Sequence, residues 1–221
     1  MKYHIISIAQ NPTFRYCKAI WHVITLQAGT VTPVPWRSAD GWSAWRLRKE
    51  INQPTINKMS TVVIYGSSTG TCEAIANKIG EKLGAQVINV TDMDASTIES
   101  NTSLIIGTST WGAGELQDDW YDGIETLKGA QLAGKTVAVF GCGDSESYSD
   151  TFCGAMAELY NAAKEGGAKL VGEVPTDGYT FDDSAAVVDG KFVGLALDDV
   201  NEDDKTDGRI DAWIEQIKGS L

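Results

Sequence analysis

The 221-residue chain carries a formal charge of −12, and that charge is unevenly spread. Residues 1–58 hold eight basic against two acidic residues, a formal +6, so residues 59–221 carry −18. A part that acidic repels nucleic acid and anionic membranes, and the natural long-range partners it has are basic protein surfaces. The four cysteines, Cys17, Cys72, Cys142 and Cys153, show neither zinc-ligand spacing nor a secreted disulfide framework, which predicts free thiols in a reducing, cytoplasmic setting. No apolar run approaches the length of a membrane span. Both histidines, His4 and His22, precede residue 59, which leaves the acidic part without imidazole for acid–base chemistry or metal binding.

Residues 1–58 lack sustained periodicity, contain Pro12, Pro33, Pro35 and Pro54, and concentrate Trp21, Trp36, Trp42 and Trp45. No small-residue cleavage site follows an apolar core, and no clear amphipathic helix marks a transit peptide. The functional chain is read as starting at Met59, with the first 58 residues an upstream translation or a dispensable extension.

From Met59 strands and helices alternate. Thr61–Tyr65 is an apolar strand 1, Gly70–Leu83 an amphipathic helix, and Gln86–Val90 a half-buried strand 2. The polar residues 94–103 have room for a short helix. Leu104–Thr108 is strand 3, Asp118–Leu127 a helix, and Thr136–Gly141 a continuous apolar strand 4, buried on both faces. A helix over Thr151–Glu165 precedes strand 5, which begins at Lys169–Gly172. Residues 173–196 break the alternation, and Asp189-Gly190 between Val187-Val188 and Lys191-Phe192 predicts a two-residue hairpin turn. This stretch is read as a hairpin insertion in strand 5, which resumes near Leu195–Leu197. The last helix is expected to start at Thr206 as its N-cap, with Ile210, Trp213, Ile214 and Ile217 on one face. The pattern predicts a doubly wound α/β fold, a five-stranded parallel sheet with helices on both faces.

In such a sheet ligands bind beyond the carboxyl ends of the strands, where strand order reverses. Three loops leave strands 1, 3 and 4 at that edge. The first, Ser67, Ser68, Thr69, Gly70, Thr71 and Cys72, offers hydroxyls and backbone N–H groups at a helix N-terminus, a phosphate cradle. It lacks the Gly-Lys-Ser/Thr ending of a Walker A loop and any Lys or Arg. A triphosphate needs a lysine and Mg²⁺, whereas one monophosphate is held by neutral donors and the helix dipole. An ordinary Ser/Thr-rich turn capping a helix stands beside that reading. The second loop, Thr108, Ser109, Thr110, Trp111 and Gly112, and the third, Cys142, Gly143, Asp144 and Tyr148, each set an aromatic among small residues. Two rings at one sheet edge can sandwich a planar heterocycle, although either ring alone is more often local packing.

These residues resemble the flavodoxin family, and the resemblance covers residues 59–221. An aromatic-ended strand followed by Ser/Thr-x-Thr-Gly-x-Thr is met at Ser67, Thr69 and Gly70 and departs at Cys72. Thr-x-Thr-Trp-Gly at 108–112 is similar to the loop whose Trp covers one flavin face, and Gly-Cys-Gly-Asp with Tyr148 to the loop whose Tyr covers the other. The insertion in strand 5 resembles the long-chain subgroup. The resemblance implies noncovalently bound FMN, one-electron transfer between a reductase and acceptor proteins, no substrate of its own and no metal, in a monomer. It also implies that the carbonyl of Gly112 turns to accept a hydrogen bond from the reduced flavin. An FMN-dependent NAD(P)H:quinone reductase is the alternative on the same fold, but the part after residue 58 has no His proton donor. A phosphorylated signalling receiver is set aside, because strand 1 ends in Ser-Ser-Thr-Gly instead of an acidic pair.

Overall fold

A computed structural model describes residues 60–221 together with the backbone of two strands, Pro33–Arg37 and Ser43–Leu47. The chain divides into two units, Met1–Ile56 and Asn57–Leu221. In the first, Pro33–Arg37 pairs antiparallel with Ser43–Leu47, from Pro33 opposite Leu47 to Arg37 opposite Ser43. Nothing in the irregular composition of that stretch signalled this ladder. His4, His22, Trp21 and Trp42, and the reading of the rest of residues 1–58 as an extension, lie outside the described residues.

The second unit is built on a parallel sheet. Its strands are β1 (Thr61–Gly66), β2 (Gln86–Asn89), β3 (Ser103–Trp111), β4 (Thr136–Cys142), β5 (Lys169–Val171) and β6 (Leu195–Leu197). The spatial order is β2-β1-β3-β4, with β5 and β6 both lying beside β4. β5 pairs with Thr136–Ala138 and β6 with Phe140–Cys142, so the two short segments share the place of a single fifth strand. The residues between them form a three-stranded antiparallel sheet, Val174–Pro175, Lys191–Phe192 and Val187–Val188. The expected hairpin is present, with Asp189 and Gly190 left-handed at φ 50° and 76°, and one further strand joins it.

Side-chain alternation along each strand feeds two cores. Val62, Ile64, Leu104, Ile106, Val137 and Val139 face α3 (Trp120–Gly129) and α4 (Met156–Glu165). Val63, Tyr65, Ile105, Ala138 and Phe140 face α1 (Thr71–Leu83) and α5 (Asp203–Ile217). Period two places neighbouring residues on opposite faces, so a continuous apolar run supplies both layers at once. A short helix α2, Ala95–Ser100, is capped by Asp94, whose Oδ1 accepts the Thr97 N–H at 2.7 Å.

Several boundaries differ from the sequence expectation, among them the helix expected over Asp118–Leu127, which runs Trp120–Gly129, and three differences have a visible cause. β3 runs on to Trp111 because Thr110 and Trp111 pair antiparallel with Leu116 and Glu115. α4 begins at Met156, since residues 151–155 form turns. α5 begins at Asp203, so Thr206 is not its N-cap: it is buried inside the first turns and its Oγ1 donates to Asp199 Oδ1 at 2.8 Å.

Gly107 in β3 sets the spacing at the sheet centre. A Cβ there would lie 2.0 Å from the Phe140 ring on β4. The Gly107 carbonyl accepts the Nε1–H of the fully buried Trp120 at 2.8 Å. Gly107→Ala is expected to destabilise the domain by about 3 kcal/mol through overpacking, read as a lower urea midpoint with an unchanged slope.

Candidate functional site

The sheet ladders bring the loops together. Gly66 is in register with Thr108, and Thr108 with Gly141, so the turns after β1, β3 and β4 leave from one line. At that edge lies a cleft of about 200 Å³. Ten of the fifteen residues singled out from the sequence line it: Thr69, Thr71, Ser109, Thr110, Trp111, Gly112, Cys142, Gly143, Asp144 and Tyr148. Trp111 and Tyr148 are 44% and 56% exposed, large rings left open at the rim.

The other five serve the loop in different ways. Ser67 Oγ accepts the Gly70 N–H at 3.1 Å and closes the turn on itself. Ser68 Oγ accepts from Gln117 Nε2 at 3.2 Å. Gly70, at φ 90°, is the N-cap of α1, and its carbonyl accepts the Ala74 N–H at 2.9 Å. That start leaves the first N–H groups of the helix free of intrahelical partners, pointing at the turn. Thr108 is fully buried, with Oγ1 donating to the Ser109 carbonyl at 2.9 Å.

Cys72 corrects the reading of the cradle. Its side chain is fully buried among Tyr65, Ile75, Phe140 and Cys142, on the side of α1 that faces the sheet. The Cys142 thiol beside it, and then burial, push the Cys72 thiol well above its ordinary value. The side chain is therefore a neutral core group. What Cys72 offers to the turn is its backbone N–H.

The second loop is a tight hairpin. Trp111 Nε1 donates to Ser109 Oγ at 2.9 Å, and the Gly114 N–H to the Trp111 carbonyl at 3.0 Å. Gly112 sits at φ 53°, a left-handed conformation that favours glycine, and the nearest group to a Cβ there would be the mobile Glu115 carboxylate. Thr110 Oγ1 is buried without a hydrogen-bond partner on the cleft wall. An orphaned hydroxyl in such a place is a vacant anchor for a polar ligand.

The third loop is fastened by two carboxylates. Asp144 Oδ1 accepts the Ser147 N–H at 2.9 Å, the Glu146 N–H at 3.2 Å and Asn201 Nδ2 at 2.9 Å. The Ser147 N–H foremost, with Asn201, holds its carboxyl below the ordinary value despite partial burial. Asp198, just past β6, is fully buried. Its oxygens accept the N–H groups of Ser145, Val200 and Asn201 at 2.9, 3.1 and 2.9 Å, Asn201 Nδ2 at 2.9 Å, and the Ser145 hydroxyl. Burial pushes the Asp198 carboxyl up, but the hydrogen bonds from Asn201 and Ser145 outweigh it and hold the carboxyl below 3.8.

Asp198 and Gln117 escaped the sequence reading, as did Thr151, Phe152, Cys153, Asp199 and Val200 on the cleft wall. One signal was available. The loop after Leu197 also leaves a parallel strand at its carboxyl end, so the rule that selected three loops selects a fourth. The lining residues include Asp144 and Asp199 and no Lys or Arg.

The geometry therefore offers a place for one phosphate on neutral donors and, between two rings, for a planar heterocycle. The flavodoxin family model matches residues 63–213. The chain belongs to the flavodoxin family. It is 45% identical to the flavodoxin of Helicobacter pylori over 160 residues, which covers 72% of this chain and 96% of that one. Flavodoxin 1 of Azotobacter vinelandii is 43% identical, with 69% and 91% covered. Among solved structures, the flavodoxin of Fusobacterium nucleatum bound to flavin mononucleotide superposes with a TM-score of 0.70 at 32% identity, covering 73% of this chain and 98% of that one. Membership makes this chain a carrier of electrons between redox proteins, with no substrate of its own, and the quinone-reductase alternative is not favoured. Among the described residues, no helix is long and apolar enough to cross a membrane.

The depressed Asp198 carboxyl gives a pH prediction. Its stabilisation is complete above the unfolded value near 3.8 and is lost as pH falls towards the lower folded value. Asp198→Ala is expected to cost about 3 kcal/mol at pH 7, by stranding the donors that converge on the carboxylate. Thermal melts from pH 7 to 3 should show the natural chain losing that advantage only at the acid end, with the variant flat by comparison.

Proposed function

We propose that residues 59–221 are the working unit and hold FMN noncovalently in this cleft. In this reading it moves one electron at a time between a reductase and acceptor proteins with basic surfaces, as a cytoplasmic monomer. The observation that carries the reading is the pairing of a cation-free helix N-terminus with a cleft rimmed by Trp111 and Tyr148, on whose wall Thr110 Oγ1 is buried and unpartnered.

The residues present fit that group. The hydroxyls of Thr69 and Thr71, with the free N–H groups of the first turn of α1, would hold the phosphate. Trp111 and Tyr148 would cover the two faces of the ring system and exclude water from it. The Thr110 hydroxyl and the backbones of Gly143 and Asp144 would meet its polar edges. FMN supplies the capacity to accept and release electrons singly. Gly112, already at φ 53°, has the backbone freedom that the carbonyl rotation implied by the resemblance requires. The −18 charge of residues 59–221, with no cation on the cleft wall, disfavours added negative charge there. A low potential for the second electron follows.

The test is an absorption spectrum of the purified chain and a redox titration. The expected results are bound FMN and a second one-electron potential below that of free FMN. A colourless protein that takes up no FMN would overturn the reading. Thr69→Val is expected to weaken FMN binding by roughly tenfold, measured by fluorescence titration, from the loss of one hydrogen bond to a charged group. Cys72→Ala should leave binding nearly unchanged, because the thiol faces the core. Gly112→Val should draw the two one-electron potentials together.

A further inference from the structure

Two serines in the turn after β1 both serve as acceptors. Ser67 Oγ takes the Gly70 N–H at 3.1 Å, and Ser68 Oγ takes an Nε2 hydrogen of Gln117 at 3.2 Å. Among the described residues neither hydroxyl donates to a protein oxygen. A hydroxyl has one hydrogen and two lone pairs, so a lone pair filled by the protein leaves the hydrogen for a group outside the turn. A phosphate monoester above its second pKa of about 6 is such a group, since it offers acceptors only. The turn has no Lys or Arg, and hydrogens aimed outward are what it has to offer instead. Ser68 is exposed, and Thr69 and Thr71, next in the turn, line the cleft.

The donor behind Ser68 is itself fixed. Gln117 is buried, and it follows Glu115–Leu116, the strand that pairs with Thr110 and Trp111. Its backbone N–H reaches Thr108 Oγ1 at 3.4 Å. Oε1 accepts the Asp119 N–H at 3.1 Å, a partner that only the oxygen of an amide can meet, and this decides which way the amide is turned. Nε2 then gives one hydrogen to Asp119 Oδ2 at 3.0 Å and the other to Ser68. A Cβ on Gly66, at the end of β1, would run into Gln117 Oε1, so the amide lies directly against the start of the turn.

We propose, on the FMN reading above, that Gln117 is a positioning residue of the phosphate site: it fills a lone pair of Ser68 and so sets that hydroxyl as a donor to the phosphate. An amide is the group this requires. A carboxylate at the same place would draw the Ser68 hydrogen inward and add a charge of the ligand's own sign. An apolar side chain would leave the hydroxyl free to turn either way. The site thereby favours an anion without using a cation, and Gln117 acts through Ser68 alone.

The test measures FMN and riboflavin affinity by fluorescence titration in the natural chain, Ser68→Ala, Gln117→Met and the double variant. Riboflavin has the same ring system and no phosphate, and Gln117→Met removes the donor at nearly constant volume. Each single variant should bind FMN roughly tenfold more weakly and riboflavin as the natural chain does. The double variant should bind FMN no more weakly than Ser68→Ala, because the two residues act as one unit. Losses that add, an equal loss for the two flavins, or an unchanged FMN affinity in Gln117→Met would each overturn the assignment. Should Gln117→Met fail to fold, Gln117→Glu keeps the shape of the amide and carries the comparison, with a larger loss for FMN and none for riboflavin. Inorganic phosphate, followed by phosphorus NMR, is titrated alongside and needs no flavin. If the natural chain takes up neither flavin, the FMN reading fails and the phosphate titration decides: weaker binding in Gln117→Met supports the role of Gln117, and equal or absent binding overturns it.

Discussion

The parallel ladder is the constraint on which the rest depends. Strands β1, β3 and β4 are buried on both faces, so their N–H and C=O groups have no water to turn to and must pair with one another. Complete pairing leaves no freedom of register. Gly66, Thr108, Gly141 and Ala196 therefore fall in one row across the sheet, and every loop beyond that row opens at the same edge. A slip of one residue would turn each apolar strand inside out relative to its helices and would scatter the loops.

On that rigid row the site is assembled from groups of small individual strength. The turn after β1 closes on Ser67 and leans on Gln117, which is itself fixed by Asp119 at 3.0 and 3.1 Å. The turn after β3 is a hairpin closed by Gly112 and Gly114. The turn after β4 is drawn to the end of β6 by the buried Asp198 carboxylate and by Asn201, which reaches both Asp198 and Asp144. A buried carboxylate is tolerable here because donors surround it, and that same crowding makes it hard to replace. The negative charge near the cleft is thus partly structural, a consequence of how the loops are tied.

The cysteines illustrate how identity and placement separate. Cys72 and Cys142 meet in the core between α1 and the sheet, and Cys153, with φ 53°, has its thiol 3.6 and 3.7 Å from the carbonyls of Gly141 and Leu197. Burial foremost pushes the Cys153 thiol well above its ordinary value. Groups that stand in the sequence next to a ligand loop behave in the fold as small apolar packing.

By itself the sequence determined the alternation of strands and helices, the two-sided burial, the Asp-Gly turn and the three loops with Trp111 and Tyr148. All of these are short-range signals: periods of two and 3.6, turn residues, and runs of apolar side chains. The tertiary structure alone decided which way Cys72 points, where α5 starts, that Asp198 and Gln117 lie beneath the loops, and that the insertion grips Ser149 and Phe152. Each of these joins residues distant in the chain, and no local propensity encodes a hydrogen bond from residue 184 to residue 152. Packing selects such contacts only after the sheet has set the loops side by side, because an unpaired buried carbonyl or carboxylate costs more than any local preference can repay.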